Sequence, residues 1–210
     1  ANLKLRKIDL LWGGVLSEPR LLLCEEHYQI CVSILKTFSL LKDGYEGVDG
    51  IFEFLISKEK KGSKGQYFTP RYIVDFCAKV INPKPGETIL DPAAGSGAFL
   101  YHAKQNCDGI NANDLWGFDF DIVATRVAKL LMYVSKLEKS HIYRVNSLIK
   151  NNKVSDGENI TSIEDILRIE KQKELFDIIM TNPPFAGEIT ESEILESYFV
   201  STGKNRIERD

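Results

Sequence analysis

Between Thr88 and Thr181 short apolar runs alternate with longer stretches of helical period, and this alternation narrows the fold more than any other feature of the chain. Thr88-Ile89-Leu90-Asp91 reads as a buried strand, and Gly95-Ser96-Gly97 opens a helix running to about Asn106. A second strand is predicted from Leu115 to Phe118, followed by a helix with Val123, Val127, Leu130, Leu131, Val134 and Leu137 inward. His141 to Val145 and Phe176 to Met180 read as the third and fourth strands. Nearly continuous apolar strands separated by helices belong to a parallel sheet covered on both faces, the α/β layer architecture. Thr161-Ser162-Ile163-Glu164 has capping-box spacing before a helix from Ile163 to Lys173, and the polar stretch Asn151 to Asn159 reads as a surface loop.

The chain ahead of this region has a different grammar. Residues 21–42 space Leu22, Leu23, Ile30, Ile34, Leu35, Phe38 and Leu41 at three and four residues, the pattern of an amphipathic helix. A second helix is expected from Asp49 to Lys60, and the lysine-rich run from Lys58 to Gly65 then marks a boundary. Residues 1–64 are thus a helical segment and 65–210 a second unit. The lysines at 58, 60, 61 and 64 read as a solvated helix exit at least as well as phosphate contacts. Thr69 is expected to cap the next helix with Pro70 in its first turn, ahead of Ile73, Phe76, Cys77, Val80 and Ile81, and Pro83-Lys84-Pro85-Gly86 to close it.

Composition excludes several classes. The 210 residues hold 43% apolar and 27% charged side chains, and no uninterrupted apolar run approaches the roughly 20 residues of a membrane span. With 27 basic against 30 acidic side chains, the net charge of -3 creates no field that would draw in a polyanion. Cys24, Cys31, Cys77 and Cys107 form no C-x-x-C pair, against both a disulfide framework and a zinc site. No signal peptide is recognisable near Ala1, so a reducing, cytoplasmic setting is expected. The chain starts without methionine and stops four strands into an open sheet, as a truncated piece would.

Three places carry candidate chemistry. Asp91-Pro92-Ala93-Ala94-Gly95-Ser96-Gly97-Ala98-Phe99 lies at a strand-to-helix turn, where glycines admit close backbone approach and N–H groups line a ligand edge. No Gly-Lys-Ser/Thr follows, which excludes a Walker A loop. Asp119 ends the second strand, where a carboxylate accepts from both hydroxyls of a ribose. Phe120 beside it is either an adenine platform or ordinary packing, and Asp121 reads as a helix cap. Asn182-Pro183-Pro184-Phe185 follows the fourth strand at the same sheet edge. Its stiffened loop presents an amide that can bind a planar amino or amide group, with an aromatic ring for stacking. The site is read as offering Asp91 and Asp119 and no lysine or arginine anchor, which disfavours a dinucleotide.

These sites in this order resemble the S-adenosylmethionine-dependent adenine-N6 DNA methyltransferases, specifically the modification subunits of type I restriction-modification systems. The resemblance covers about Phe52 to Arg209. It implies a Rossmann-like core whose first four strands are ordered 3-2-1-4, with further strands to follow and an isolated piece that is inactive. In that light Gly65-Gln66-Tyr67-Phe68-Thr69-Pro70 closes over the methionine portion of the cofactor, with Tyr67, Thr69 and Pro70 in contact. Asp91, Pro92, Ala93, Gly95, Ser96 and Gly97 form the cofactor loop, and Asp119 holds the ribose with Phe120 at the adenine. Asn146 stands where the family usually has Asp to accept from the adenine amino group.

Asn182, Pro183, Pro184 and Phe185 would be the catalytic tetrapeptide, with Asn182 also near the cofactor. No metal is implied. The implied reaction is direct methyl transfer to an adenine flipped out of double-stranded DNA. The partners implied are a DNA sequence-specificity subunit and a nuclease-translocase restriction subunit, and no membrane. Methylation of a protein glutamine amide and a non-catalytic scaffold role are the competing readings.

Overall fold

The computed structural model describes residues 23–36, 69–148, 163–172, 175–184, 188–189 and 207–208. The predicted helix at 49–60, the loop at 151–159, Tyr67 and Phe185 lie outside these residues. Within them, β1 (Ile89–Asp91), β2 (Leu115–Asp119), β3 (His141–Arg144) and β4 (Ile178–Ile179) form one parallel sheet in the order β3-β2-β1-β4. The implied topology is therefore the observed one. The helices, in chain order, are α1 (Glu25–Leu35), α2 (Arg71–Ile81), α3 (Ala98–Asn106), α4 (Ile122–Val134) and α5 (Ile163–Ile169). A short antiparallel pair, β5 (Glu188–Ile189) with β6 (Ile207–Glu208), lies in the segment after the fourth strand, where no strand is predicted.

The period of two along each strand divides the core between the two faces of the sheet. Ile89, Leu115 and Ile142 point to one side, where they meet Val74 of α2, Leu100 and Ala103 of α3, and Ala128, Leu131 and Met132 of α4. Leu90, Trp116 and Phe118 point to the other, against Ile166 and Leu167 of α5. Each fully buried side chain of this size contributes roughly 1.5–3 kcal/mol of transfer free energy. Gly117 belongs to the first face, and there a Cβ would come within 2.8 Å of Ile142 Cδ1, 3.0 Å of Leu100 Cδ1 and 3.1 Å of Ala94 Cβ. The missing side chain is what lets α3 and the loop before it lie directly on the sheet.

Several expectations are corrected. The N-cap position of α2 is Pro70, not Thr69, and no side chain caps the helix. Asn82, in the left-handed conformation with φ 52°, ends it before Pro83. Of the apolar positions on α2, Phe76 and Val80 are 65% and 66% exposed, while Val74 and Ala78 are buried instead. Periodicity shows which residues share a face but not which face turns inward. Val123 in the first turn of α4 is also exposed, whereas Asp121 caps that helix as expected through bonds from the Val123 and Ala124 N–H groups (2.7 and 3.1 Å). The strand at Phe176 to Met180 contracts to Ile178–Ile179, whose Ile179 is 59% exposed, as an outer strand of the four permits. α1 has open side chains at Ile30 and Ile34 rather than a covered stripe.

Candidate functional site

The carboxyl ends of β1 and β2 and the loop after β4 converge at one edge of the sheet, the position at which open α/β sheets bind ligands. The turn after β1 places Gly95 (φ 54°) and Gly97 (φ 83°) in the left-handed region, where glycine is the residue without steric penalty. Around Gly97 the protein is dense, since a Cβ would meet Met132 Cε at 2.7 Å. Around Gly95 it is open, with nothing within 4 Å of that direction. One glycine serves packing and the other leaves room at the cavity edge.

A solvent-open cavity lies against this turn, lined by Thr69, Arg71, Asp91, Ala93, Gly95, Ser96 and Asn182 among others. Asp91 is only 1% exposed. Burial pushes its carboxyl up to about 7, against the opposing pull of the Thr181 hydroxyl and the Ala93 N–H, and the nearby Asp119 charge adds to the rise. The Ala93 N–H donates to Asp91 Oδ1 at 3.1 Å.

Asp119 organises the other side of the loop. Its Oδ2 accepts from the Gly95 N–H at 2.8 Å and its Oδ1 from the Asp121 N–H at 2.8 Å. A carboxylate oxygen can accept more than one hydrogen bond, which is what contacts to two ribose hydroxyls would require. The ring of Phe120 is 57% exposed, with the Arg144 guanidinium 5.9 Å from its centroid, so it is not ordinary core packing. Asn146 follows β3, and its Oδ1 accepts from the Leu148 N–H at 3.1 Å. Ser147 donates to the Pro92 carbonyl at 2.6 Å and ties this strand end to the glycine turn. Pro92, Asp119, Phe120 and Asn146 thus flank the cavity without forming part of its lining.

Asn182 closes the opposite side. Its Nδ2 donates to Thr69 Oγ1 at 2.9 Å, a bond that joins positions 113 residues apart. With its NH2 held there, the amide turns its oxygen away from Thr69. Pro183 and Pro184 follow, both exposed. The Thr69 hydroxyl, expected to cap a helix, thus orients an amide instead, and Pro70 begins α2 at the cavity rim.

The expectation that the site lacks an arginine is overturned. Arg71, the first residue of α2, lines the cavity and donates from Nη2 to Ser96 Oγ at 3.4 Å. Its position directly after Thr69-Pro70 was the available signal, but a charged residue at a helix start is unremarkable in sequence. The cavity thus gathers a buried carboxyl, an open glycine surface and, among its described lining residues, one cation, with the Asp119 carboxylate at its flank.

The chain is similar to known methyltransferases. It is 28% identical over 156 residues to the type I restriction enzyme StySPI methylase subunit of Salmonella potsdam, a match covering 65% of this chain and 27% of that protein. It is 31% identical over 143 residues to the type I MjaIX methylase subunit of Methanocaldococcus jannaschii, covering 64% and 22%. The chain therefore spans less than a third of the length of these curated relatives. Among solved structures, a modification subunit assigned to a type I restriction enzyme from Vibrio vulnificus superposes with a TM-score of 0.55 at 24% identity, over 77% of this chain and 32% of that one. A protein from Listeria monocytogenes assigned to the class I S-adenosylmethionine-dependent methyltransferases reaches 0.60 at 19% identity, over 96% and 56%. The fold is that of these S-adenosylmethionine-dependent methyltransferases. The N-6 DNA methylase family model matches residues 44–206, and the chain belongs to that family.

Proposed function

We propose that this chain is the cofactor- and amine-binding part of an enzyme that transfers a methyl group from S-adenosylmethionine to the N6 amino group of adenine in DNA. The enzyme would be the modification subunit of a cytoplasmic type I restriction-modification complex. The observation that carries the reading is the Asn182–Thr69 hydrogen bond, which holds the tetrapeptide amide on the cavity that also contains Asp91 and the glycine turn. The cofactor supplies an electrophilic methyl group on a sulfonium.

The remaining work belongs to the chain's own groups. Asp119 accepts from the ribose hydroxyls, Phe120 lies along the adenine of the cofactor and Asn146 accepts from its amino group. Asp91 faces the ammonium of the amino-acid portion. Asn182 Oδ1 and the Pro183 carbonyl accept hydrogen bonds from the target amino group, so that its nitrogen lone pair is directed at the methyl carbon. Phe185 stacks on the flipped base. Holding the reacting atoms within about 3–3.5 Å supplies much of the rate, and no covalent enzyme intermediate is required. After transfer the nitrogen gives up one proton to water. Sequence recognition would come from a specificity subunit, and a restriction subunit would complete the complex.

The test is transfer of labelled methyl to DNA by the intact protein with its specificity subunit. Asn182→Ala is expected to abolish transfer while cofactor affinity stays within about threefold, because the lost groups bind the amine rather than the cofactor. Thr69→Val, which releases the amide, is expected to slow transfer about tenfold, the scale of one hydrogen bond. Undiminished transfer by Asn182→Ala would refute the reading.

A further inference from the structure

The strand that leads to Asn182 is two residues long, and among the described strands its neighbour is β1, paired as Ile89 with Ile178 and Leu90 with Ile179. Hydrophobic pattern does not choose this register. Ile178, Ile179 and Met180 follow one another, so a slip by one residue still offers an aliphatic side chain to the core. Such a slip would carry Asn182 about 3.3 Å along the strand direction, which the 2.9 Å bond to Thr69 could not survive. What does choose the register stands at the other end of β4. The Thr88 N–H and hydroxyl both donate to Asp177 Oδ2, at 2.8 and 2.9 Å. The Asp177 N–H is shared between Thr88 Oγ1 at 3.2 Å and the Thr88 carbonyl at 3.1 Å, and the Ile178 N–H donates to that carbonyl at 3.0 Å. A slip in either direction would set Phe176 or Ile178 in place of Asp177, and neither side chain can accept from Thr88.

We infer that Asp177 and Thr88 are positioning residues for methyl transfer: their reciprocal bonds fix β4 on β1 and thereby place Asn182, five residues beyond Asp177, in the cavity. This rests on the role proposed for Asn182. β1 is the fixed partner, since it pairs with β2 over Ile89–Asp91 and all three of its residues are buried. β4 is the less constrained one, with Ile179 59% exposed. Loss of the clasp therefore leaves Asp91 and the glycine turn where they are and releases the Asn182 end. Between the clasp and the Thr69 bond, the Met180 N–H donates to the Leu90 carbonyl at 3.0 Å, so the segment is held at its start, its middle and its tip. A reacting group needs placement within about 0.5 Å, and a displacement of about 1 Å can cost on the order of 100-fold in rate.

Turnover counted per cofactor-binding site separates this role from a merely structural one. Wild type, Asp177→Ala, Thr88→Val and Thr88→Ser, each as the intact protein with its specificity subunit, are titrated calorimetrically with S-adenosylmethionine and assayed for labelled methyl transfer to DNA. Asp177→Ala is expected to lower kcat per site about 10- to 100-fold while cofactor affinity stays within about threefold. Thr88→Val, which keeps the shape and the N–H but loses the hydroxyl, should lower kcat per site about 3- to 10-fold, the scale of one hydrogen bond. Thr88→Ser restores the hydroxyl and should return to within about twofold of wild type. A structural role alone would reduce the number of binding sites and leave turnover per site unchanged. Unchanged turnover per site, a loss of affinity as large as the loss of turnover, or Thr88→Ser as impaired as Thr88→Val overturns the inference while the proposed function stands. If wild type itself transfers no methyl to DNA, the proposed function and this inference fall together. Should Asp177→Ala fail to fold, the Thr88→Val and Thr88→Ser pair decides by the same criteria.

Discussion

Protonation of Asp91 should govern cofactor binding on the acid side of neutrality. The carboxyl is 1% exposed and held at about 7, with burial as the main cause. An ammonium beside it favours the ionised form, so binding requires the proton to leave, and affinity falls with the ionised fraction. At about pH 6 roughly one tenth of the sites are ionised, and each further unit removes about another factor of ten, equivalent to about 1.4 kcal/mol. The ligand's own α-amino group, with an ordinary value of about 7.7–8.0, loses its charge on the alkaline side, so the affinity profile is bell-shaped. Taken together the two titrations predict a dissociation constant about fivefold higher at pH 6 than near pH 7.4.

The assay is calorimetry across pH 5.5 to 8.5, repeated in buffers of different ionisation enthalpy so that proton release appears as heat. Asp91→Asn should bind weakly and lose the acid limb. The same titration predicts a stability effect of defined sign. Because the folded-state value lies above the unfolded one, near 3.8, the folded protein binds the extra proton between them, and stability falls as pH rises from about 4 through 7. The full span is on the order of 4 kcal/mol, which Asp91→Asn would not show in urea unfolding followed over the same range. A dissociation constant flat from pH 5.5 to 7, equal in slope to that of Asp91→Asn, would refute the argument.

Two further substitutions probe how the site is held. Asp119→Ala removes the acceptor for the Gly95 and Asp121 N–H groups as well as the proposed ribose contact, so both cofactor affinity and fold stability should drop. The stability loss is expected to be about 2–3 kcal/mol by urea unfolding, and unchanged calorimetric affinity would remove the ribose role. Gly117→Ala places a Cβ against Ile142, Leu100 and Ala94 and should cost about 1–3 kcal/mol, with an unaltered unfolding midpoint showing that α3 can retreat from the sheet at no cost.

Much of the architecture was legible because it is written in local periodicity. The helix after Gly97 runs to Asn106 as expected, and the strand preceding Asp91 is fully buried. The capping role of Asp121 was equally readable, because the carboxylate and the N–H groups it accepts from lie within one turn. Thr69 was misread for the converse reason. A threonine before proline and a helical run has the pattern of a cap, but its partner is Asn182, which no local pattern reveals. The exposed Phe76 and Val80 of α2 show the same limit, since an apolar stripe and its burial are separate facts.

By itself, then, the amino-acid order determined the succession of strands and helices, the two left-handed glycines after β1 and the identity of the groups at the sheet edge. These depend on backbone sterics and hydrophobic period over a few residues. Tertiary structure decided which groups share a cavity: Arg71 comes to Ser96, Asn182 to Thr69, and Asp119 to Gly95. It also decided that Asp91 is buried deeply enough to hold its proton to about 7. Those outcomes depend on desolvation and on directional bonds between distant segments, which exist only once the parallel sheet has brought its carboxyl edges together.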